Sequence, residues 1–282
     1  MDQLCKEPHL DIVVEENEIV DGAKKIIKKI RPTWPLNNLH FKFLKYVFLN
    51  KIKIKIYLKN IIFTDGITNK LIGVWYAEHY NEMVLIRVYG HKTDLLINRK
   101  DETRNIRILN KAGFTHSIYA TFNNGLAYQF IEGNILTIET VRDPKIYILI
   151  AKRMAQMHKL KPEDVEISKE ACIWNKLEKF MEIMPKKFID DIKQARFEKL
   201  IKPFIILKQN YQVLKKELIS LDNDIVFAHN DLLLGNILYN QKENTVTFID
   251  FEYTAYNYQA FDIANHFAEF AGNINTHTKY FL

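Results

Sequence analysis

The sequence predicts an α+β fold, with strand-like segments concentrated in its first half and helical periodicity dominating its second. Three observations carry this reading. Leu71-Ile-Gly-Val-Trp75-Tyr and Met83-Val-Leu-Ile-Arg87-Val-Tyr have the length and the β-branched and aromatic content of paired strands. Between residues 144 and 221 the apolar positions recur at helical spacing. Ile225-Val226-Phe227 and Val246-Thr247-Phe248-Ile249 then return to strand character on either side of a turn at residues 240–244.

From the N-terminus, Asp21 to Arg31 places Ile26, Ile27 and Ile30 on one face and lysines on the other, and Pro32 stops it as a short amphipathic helix. Leu39-His-Phe41-Lys-Phe43 is the first strand. Between it and the pair at 71–89 lies Thr64-Asp-Gly66-Ile-Thr68-Asn69, whose backbone N–H groups and hydroxyls suit the covering of phosphates. With one glycine it also reads as a plain turn. Arg87 sits in an otherwise apolar strand, where a cation needs a partner. Glu102, at the start of the helix expected from Asp101 to Lys111, can be that partner; otherwise the arginine stem lies along the sheet with its head in water. Leu126 to Ile131 is an edge-type strand running into a connector at 132–135.

Helical character begins after Leu136. Pro144 to Lys159 spaces Ile146, Leu149, Ile150 and Met157 on one side, with His158 as a buried or capping residue. Trp174, Phe180, Met181 and Met184 form an apolar stripe expected in the core, and Phe188 to Leu221 mixes charge along a further helical region.

The chemistry concentrates at His229-Asn-Asp231-Leu-Leu-Leu-Gly-Asn236 and at Asp250. In phosphoryl transfer a protein orients an attacking hydroxyl and holds Mg²⁺ against phosphate oxygens. An H-x-D-x-x-x-x-N loop offers one carboxylate, Asp231, to take the hydroxyl proton, and one amide oxygen, Asn236, to ligate metal. Asp250 is the second metal ligand. Each follows an apolar strand-like run, so Asp231 and Asp250 are expected to emerge near each other from neighbouring strands. The architecture that follows is a two-lobed, protein-kinase-like fold. It has a nucleotide-binding lobe over residues 1–131, a hinge at 132–135 and a catalytic lobe over 136–282. Asn69, Arg87 and Glu102 belong to the nucleotide side, with Gln129 and Ile131 meeting adenine where the strand enters the hinge.

The same residues carry a family resemblance. Asp250-Phe-Glu-Tyr-x-x-Tyr256-Asn257-Tyr258-x-x-Phe-Asp262-x-x-Asn-His266-Phe resembles the signature of the choline/ethanolamine kinases. Phe63-Thr-Asp-Gly66-Ile-Thr-Asn-Lys-Leu71, Asn123-Asn-Gly-Leu-Ala-Tyr-Gln129-Phe-Ile-Glu-Gly133 and the Asp231 loop look most like its ethanolamine-specific branch. The resemblance covers about residues 11–43 and 63–273. It implies ATP and Mg²⁺ as cofactors and transfer of a phosphoryl group to ethanolamine, the first step toward phosphatidylethanolamine; a choline kinase and a catalytically inactive kinase-like chain are the alternatives. A primary ammonium needs hydrogen-bond acceptors, whereas a quaternary one prefers an aromatic cage. Glu252, Asp262 and Glu269 are the acids available, Glu269 being the best match to the family's substrate-facing glutamate, with Tyr256 and Tyr258 as a wall. Asp262 alternatively caps a helix from Ile263 to Phe270.

Composition sets the surroundings. The 282 residues are 48% hydrophobic, enough for one large core or two lobes. Cys5 and Cys172 are too few for a disulfide framework, there is no signal-peptide pattern and no spanning apolar run, so a cytoplasmic protein without membrane insertion is expected. The reading admits a homodimer. Net charge is +6 with pI ≈ 9.0, but residues 44–62 hold five lysines and no acid, nearly the whole excess, which argues against nucleic acid as partner. Residues 44–62 use few residue types and interrupt the family pattern between first strand and phosphate-covering loop. They read as a retained intron or gene-model error, the alternative being an edge strand at Ile52-Lys-Ile-Lys-Ile56. The resemblance also fades after Ala271-Gly272, before the family's last helices. Deleting 44–62 is expected to raise the soluble yield without by itself restoring full turnover, because it removes a β-prone apolar edge. Unchanged yield and full activity of the parent chain would mark the segment as a genuine insertion.

Overall fold

The computed structural model describes residues 7–44, 69–90, 97–163 and 167–271. The segment 44–62 except Leu44, together with Thr64, Gly66 and Thr68, lies outside the described residues.

In chain order the elements are β1 (His9–Leu10), α1 (Ile19–Ile30), β2 (Leu39–Leu44), β3 (Lys70–Tyr76), β4 (Val84–Val88), α2 (Arg99–Lys111), β5 (Ile118–Phe122) and β6 (Gly125–Gln129). There follow β7 (Asn134–Ile135), α3 (Ile138–Val141), α4 (Pro144–His158), α5 (Cys172–Ile183), α6 (Asp191–Leu200), α7 (Phe204–Ile219) and β8 (Ile225–Ala228). The last are β9 (Ile237–Asn240), β10 (Thr245–Phe248), β11 (Ala255–Tyr258) and α8 (Gln259–Ala268). The described residues fall into two compact units, one drawn from Met1–Ala151 and Leu233–Tyr253, the other from Lys152–Leu232 and Thr254–Leu282. The expected hinge, residues 132–135, lies within the first.

The first unit is built on a six-stranded sheet in the order β1-β5-β6-β4-β3-β2, antiparallel except for the β1–β5 pair. Strand alternation assigns its two faces. Ile72 and Val74 of β3 and Val84, Ile86 and Val88 of β4 pack against Ala23, Ile26 and Ile27 of α1, the three helix residues being fully buried. The opposite phase, Leu71, Met83, Leu85, Leu126 and Tyr128, forms a second apolar cluster. Arg87 belongs to that second phase, opposite Leu71 and Leu126 in register. Gly125 opens β6 where nothing larger fits: a Cβ there would stand 2.1 Å from the Arg87 carbonyl oxygen. A smaller sheet in the order β10-β9-β7 completes this unit.

In the second unit β8 pairs antiparallel with β11, Phe227 opposite Tyr256 and Ala228 opposite Ala255. The pairing expected from sequence is therefore corrected. The strands that lead into Asp231 and Asp250 are not neighbours, because Thr245–Phe248 pairs with Ile237–Asn240, a four-residue strand overlooked in the sequence, and Ile225–Ala228 pairs downstream with β11. The apolar stripe of α5 is also only partly core. Trp174 is its one buried residue and its indole N–H donates to the Tyr258 hydroxyl at 3.1 Å, while Phe180 is 43% exposed. Among the described residues no helix is long and apolar enough to cross a membrane.

Candidate active site

In the first unit the site grows from the phase of β4, which turns Arg87 toward α2. Asn98 caps that helix by accepting the N–H groups of Lys100 and Asp101, so α2 starts at Arg99 and Glu102 sits one turn in. Arg87 Nη1 donates to Glu102 Oε1 at 2.8 Å and to Asp250 Oδ1 at 3.1 Å, and its Nη2 to Glu252 Oε2 at 2.8 Å. Burial would weaken the guanidinium charge, but Asp250, Glu102 and Glu252 more than offset it and hold its pKa above the ordinary arginine value. Burial, then the neighbouring Asp250, push Glu252 up against the opposing pull of Arg87.

A second arginine, unforeseen in the sequence, shares these acids. Arg99 Nη1 donates to Glu102 Oε2 at 2.9 Å and to Glu252 Oε2 at 3.3 Å, its Nη2 donates to Asn69 Oδ1 at 3.1 Å, and its head lies 4.1 Å from the Tyr89 ring centre. The only sequence trace of it was an acid three residues downstream, an ordinary helical pair. Glu102, Asp250 and Glu252 present oxygens within 4.8 Å of one another, a hard-donor set of the kind divalent cations use.

A backbone hydrogen bond sets Asn236 near Asp250. Asn236 is buried, and its carbonyl accepts the N–H of Ile249, the residue before Asp250, at 3.0 Å. Asp250 itself has φ 66, a left-handed conformation that aspartate tolerates better than most residues and that turns the chain sharply out of β10.

Beside this cluster a cavity of about 330 Å³ is walled by Leu71, Leu126, Leu238 and Phe251 and reached by Arg87, Gln129, Ile131 and Asp250. His116 also lines it, another residue the sequence did not single out. Its ring stacks on Tyr128 at 4.2 Å, and burial followed by the nearby Arg87 charge lowers its pKa to about 3, so it is an uncharged part of the wall.

The remaining candidates lie in the second unit. Asp231 follows Asn230, which has φ 66. Asp262 is fully buried: Oδ2 accepts the backbone N–H of His229 at 3.1 Å and Nε2 of His158 at 2.8 Å, and Oδ1 accepts the N–H of Asn230 at 2.7 Å. Burial alone would raise its pKa; the His158 hydrogen bond, the field of His229 and the Asn230 N–H outweigh that and hold it below the ordinary aspartate value. The capping alternative for Asp262 does not apply, since α8 begins at Gln259 and Asp262 bonds the 229–230 loop instead. Glu269 stands half-buried just beyond α8, and Tyr256 is buried on β11 with its ring edge-on to Phe227 at 5.7 Å.

An antiparallel sheet whose inner strand pairs an arginine with a helix glutamate, followed by a helix-rich region and an acid-bearing hairpin, is the protein-kinase-like fold. The choline/ethanolamine kinase family model matches residues 61–282, past the point where the resemblance was expected to fade. The chain belongs to the choline/ethanolamine kinase family. An ethanolamine kinase of Drosophila melanogaster is 37% identical over 94% of this chain and 62% of its own length, and ethanolamine kinase 1 of Mus musculus is 38% identical over 94% and 68%. Among solved structures, the Plasmodium vivax ethanolamine kinase superposes with a TM-score of 0.72 at 28% identity, over 93% of this chain and 69% of that one. The chain thus spans less than two thirds of the fly relative's length.

Proposed function

We propose that the protein transfers the γ-phosphoryl group of ATP to the hydroxyl of ethanolamine. The observation that carries this reading is the Arg87 fork, which ties the helix acid Glu102 to Asp250 and Glu252 at the rim of an apolar cavity. A phosphotransferase needs that combination of fixed cation, metal-ligating acids and a site for a flat base. The identity of the curated relatives points to the amine.

In this reading Gln129 and Ile131 meet the adenine by their backbone at the mouth of the cavity, and Asn69 flanks the phosphates. Asp250, Asn236 and Glu252 offer oxygens to Mg²⁺, which when bound neutralises charge on the transferring phosphoryl group. Asp231 takes the proton of the amino alcohol's hydroxyl as the new P–O bond forms and the bond to ADP breaks. Glu269 accepts hydrogen bonds from the substrate ammonium, with Tyr256 on the wall beside it.

Initial rates with ethanolamine and with choline, at saturating ATP and Mg²⁺, test the proposal: kcat/KM should favour ethanolamine, and a preference for choline would reverse the assignment. Glu269→Gln should raise KM for ethanolamine by about 10- to 100-fold, the equivalent of a lost charge-assisted hydrogen bond of roughly 1.5–3 kcal/mol, with KM for ATP little changed. Equal effects on both substrates would make Glu269 structural.

A further inference from the structure

We propose that the outer face of α6 is a docking surface for an anionic phospholipid bilayer, engaged peripherally and reversibly. The inference goes beyond phosphoryl transfer and uses none of its residues. The register of α6 is fixed from its inner side. Asp190 caps the helix by accepting the N–H of Lys193 at 2.8 Å, Gln194 Oε1 accepts the N–H of Phe188 at 2.7 Å, and the Phe197 ring meets that of Phe188 edge-on at 5.3 Å. With Gln194 and Phe197 turned inward, the other face is left to water. Ile192, Arg196, Lys199 and Leu200 stand four, seven and eight residues along from the first and so share one stripe. All four are exposed, Ile192 at 77% and Leu200 at 67%, and Ile189, just ahead of the helix, is fully exposed.

Charge on this face has one sign. The acids of the helix, Asp191 and Glu198, are seven residues apart on a single flank, and Gln194 Nε2 holds Glu198 there by a hydrogen bond to Oε1 at 2.7 Å. Residues 186–202 together carry six lysines and arginines against three acids. A single aliphatic side chain in water is ordinary, but aliphatics interleaved with cations along one stripe ask for a partner that takes both. A nucleic acid would pair with Arg196 and Lys199 and leave Ile192 and Leu200 wet. An apolar protein face would cover the aliphatics and strand the cations. The head-group region of an anionic bilayer accepts the two together: phosphates and carboxylates meet the cations, the aliphatics reach the acyl boundary, and the long stems of Arg196 and Lys199 extend the apolar contact. At ten residues α6 is too short to span, so it lies along the surface.

Co-sedimentation of the full chain with vesicles tests this, using phosphatidylcholine alone and an equimolar mixture of phosphatidylcholine and phosphatidylserine. The parent should bind the mixed vesicles, more weakly as salt rises, and bind phosphatidylcholine little. Arg196→Gln with Lys199→Gln should lower the partition constant about 10- to 30-fold, since each cation near an anionic surface is worth about 5-fold. Ile192→Ser should lower it by about 3- to 10-fold. Lys28→Gln with Lys29→Gln, exposed on α1, removes the same net charge elsewhere and should cost much less. Equal losses in the two double variants would overturn the proposal by showing attraction to the chain's overall charge. Parent binding in Ile192→Ser would overturn it as well, leaving a contact of charge alone. So would no binding to the mixed vesicles, or a concentration-dependent dimer that Ile192→Ser abolishes, which gives the face to a second copy of the chain.

Discussion

Asp231→Asn should lower kcat by roughly 10²- to 10⁴-fold, the range associated with loss of a positioned general base, with KM for both substrates nearly unchanged. The amide keeps the size of the carboxylate and its chain path but cannot accept the hydroxyl proton. Because the flanking peptides of His229, Asn230 and Leu232 are anchored by other side chains, the substitution should leave the loop in place, and the loss should be one of chemistry. Steady-state rates at saturating ATP and Mg²⁺, with circular dichroism as a control for folding, measure it. A variant within a few-fold of the parent would show that the proton leaves by another route.

Arg87→Met should destabilise the first unit by about 3–5 kcal/mol, the usual result of removing one partner from a buried ion pair. Methionine keeps the stem's packing on the apolar face of β4 while deleting the Nη1 donor to Asp250 and, among the described residues, one of the two arginine donors to Glu102 and to Glu252. Arg99 remains to hold Glu102 and Glu252, which keeps the loss from being larger. Arg87→Lys should lie between parent and methionine variant, since one ammonium cannot reproduce a planar fork shared among three carboxylates. Denaturant unfolding with unchanged m reads the difference. A loss below about 1 kcal/mol, the range of exposed pairs, would mean that water replaces the guanidinium without penalty.

Much of this site was legible along the chain because its requirements are local. A cation in an apolar strand demands an acid, and Glu102 was the acid a helix start would supply; the structure pairs them at 2.8 Å. Asn236 and Asp250 were read as metal ligands from their spacing alone, and the structure adds that a backbone hydrogen bond from Ile249 to Asn236 sets them near each other. The helix Ile19–Ile30 and the strands at 39, 70 and 84 followed from periodicity, since burial of one face is written into every third or second residue.

What escaped the sequence were the partners chosen across long separations. Strand pairing is such a choice: Ile225–Ala228 and Thr245–Phe248 are each good strands, yet each takes a different neighbour from the one that chain proximity suggested. Asp262 read equally as a cap or a substrate ligand, because a carboxylate at the start of a helix has the same local chemistry whichever N–H groups it meets. Only the fold brings His158, from 104 residues away, and the loop at 229–230 to its oxygens. The sequence by itself determined which groups are able to move a proton, hold a cation and bury a face, since those are properties of side-chain type and spacing. The tertiary structure alone decided which hydrogen-bond partners satisfy each buried charge, since that choice depends on distances that no local pattern encodes.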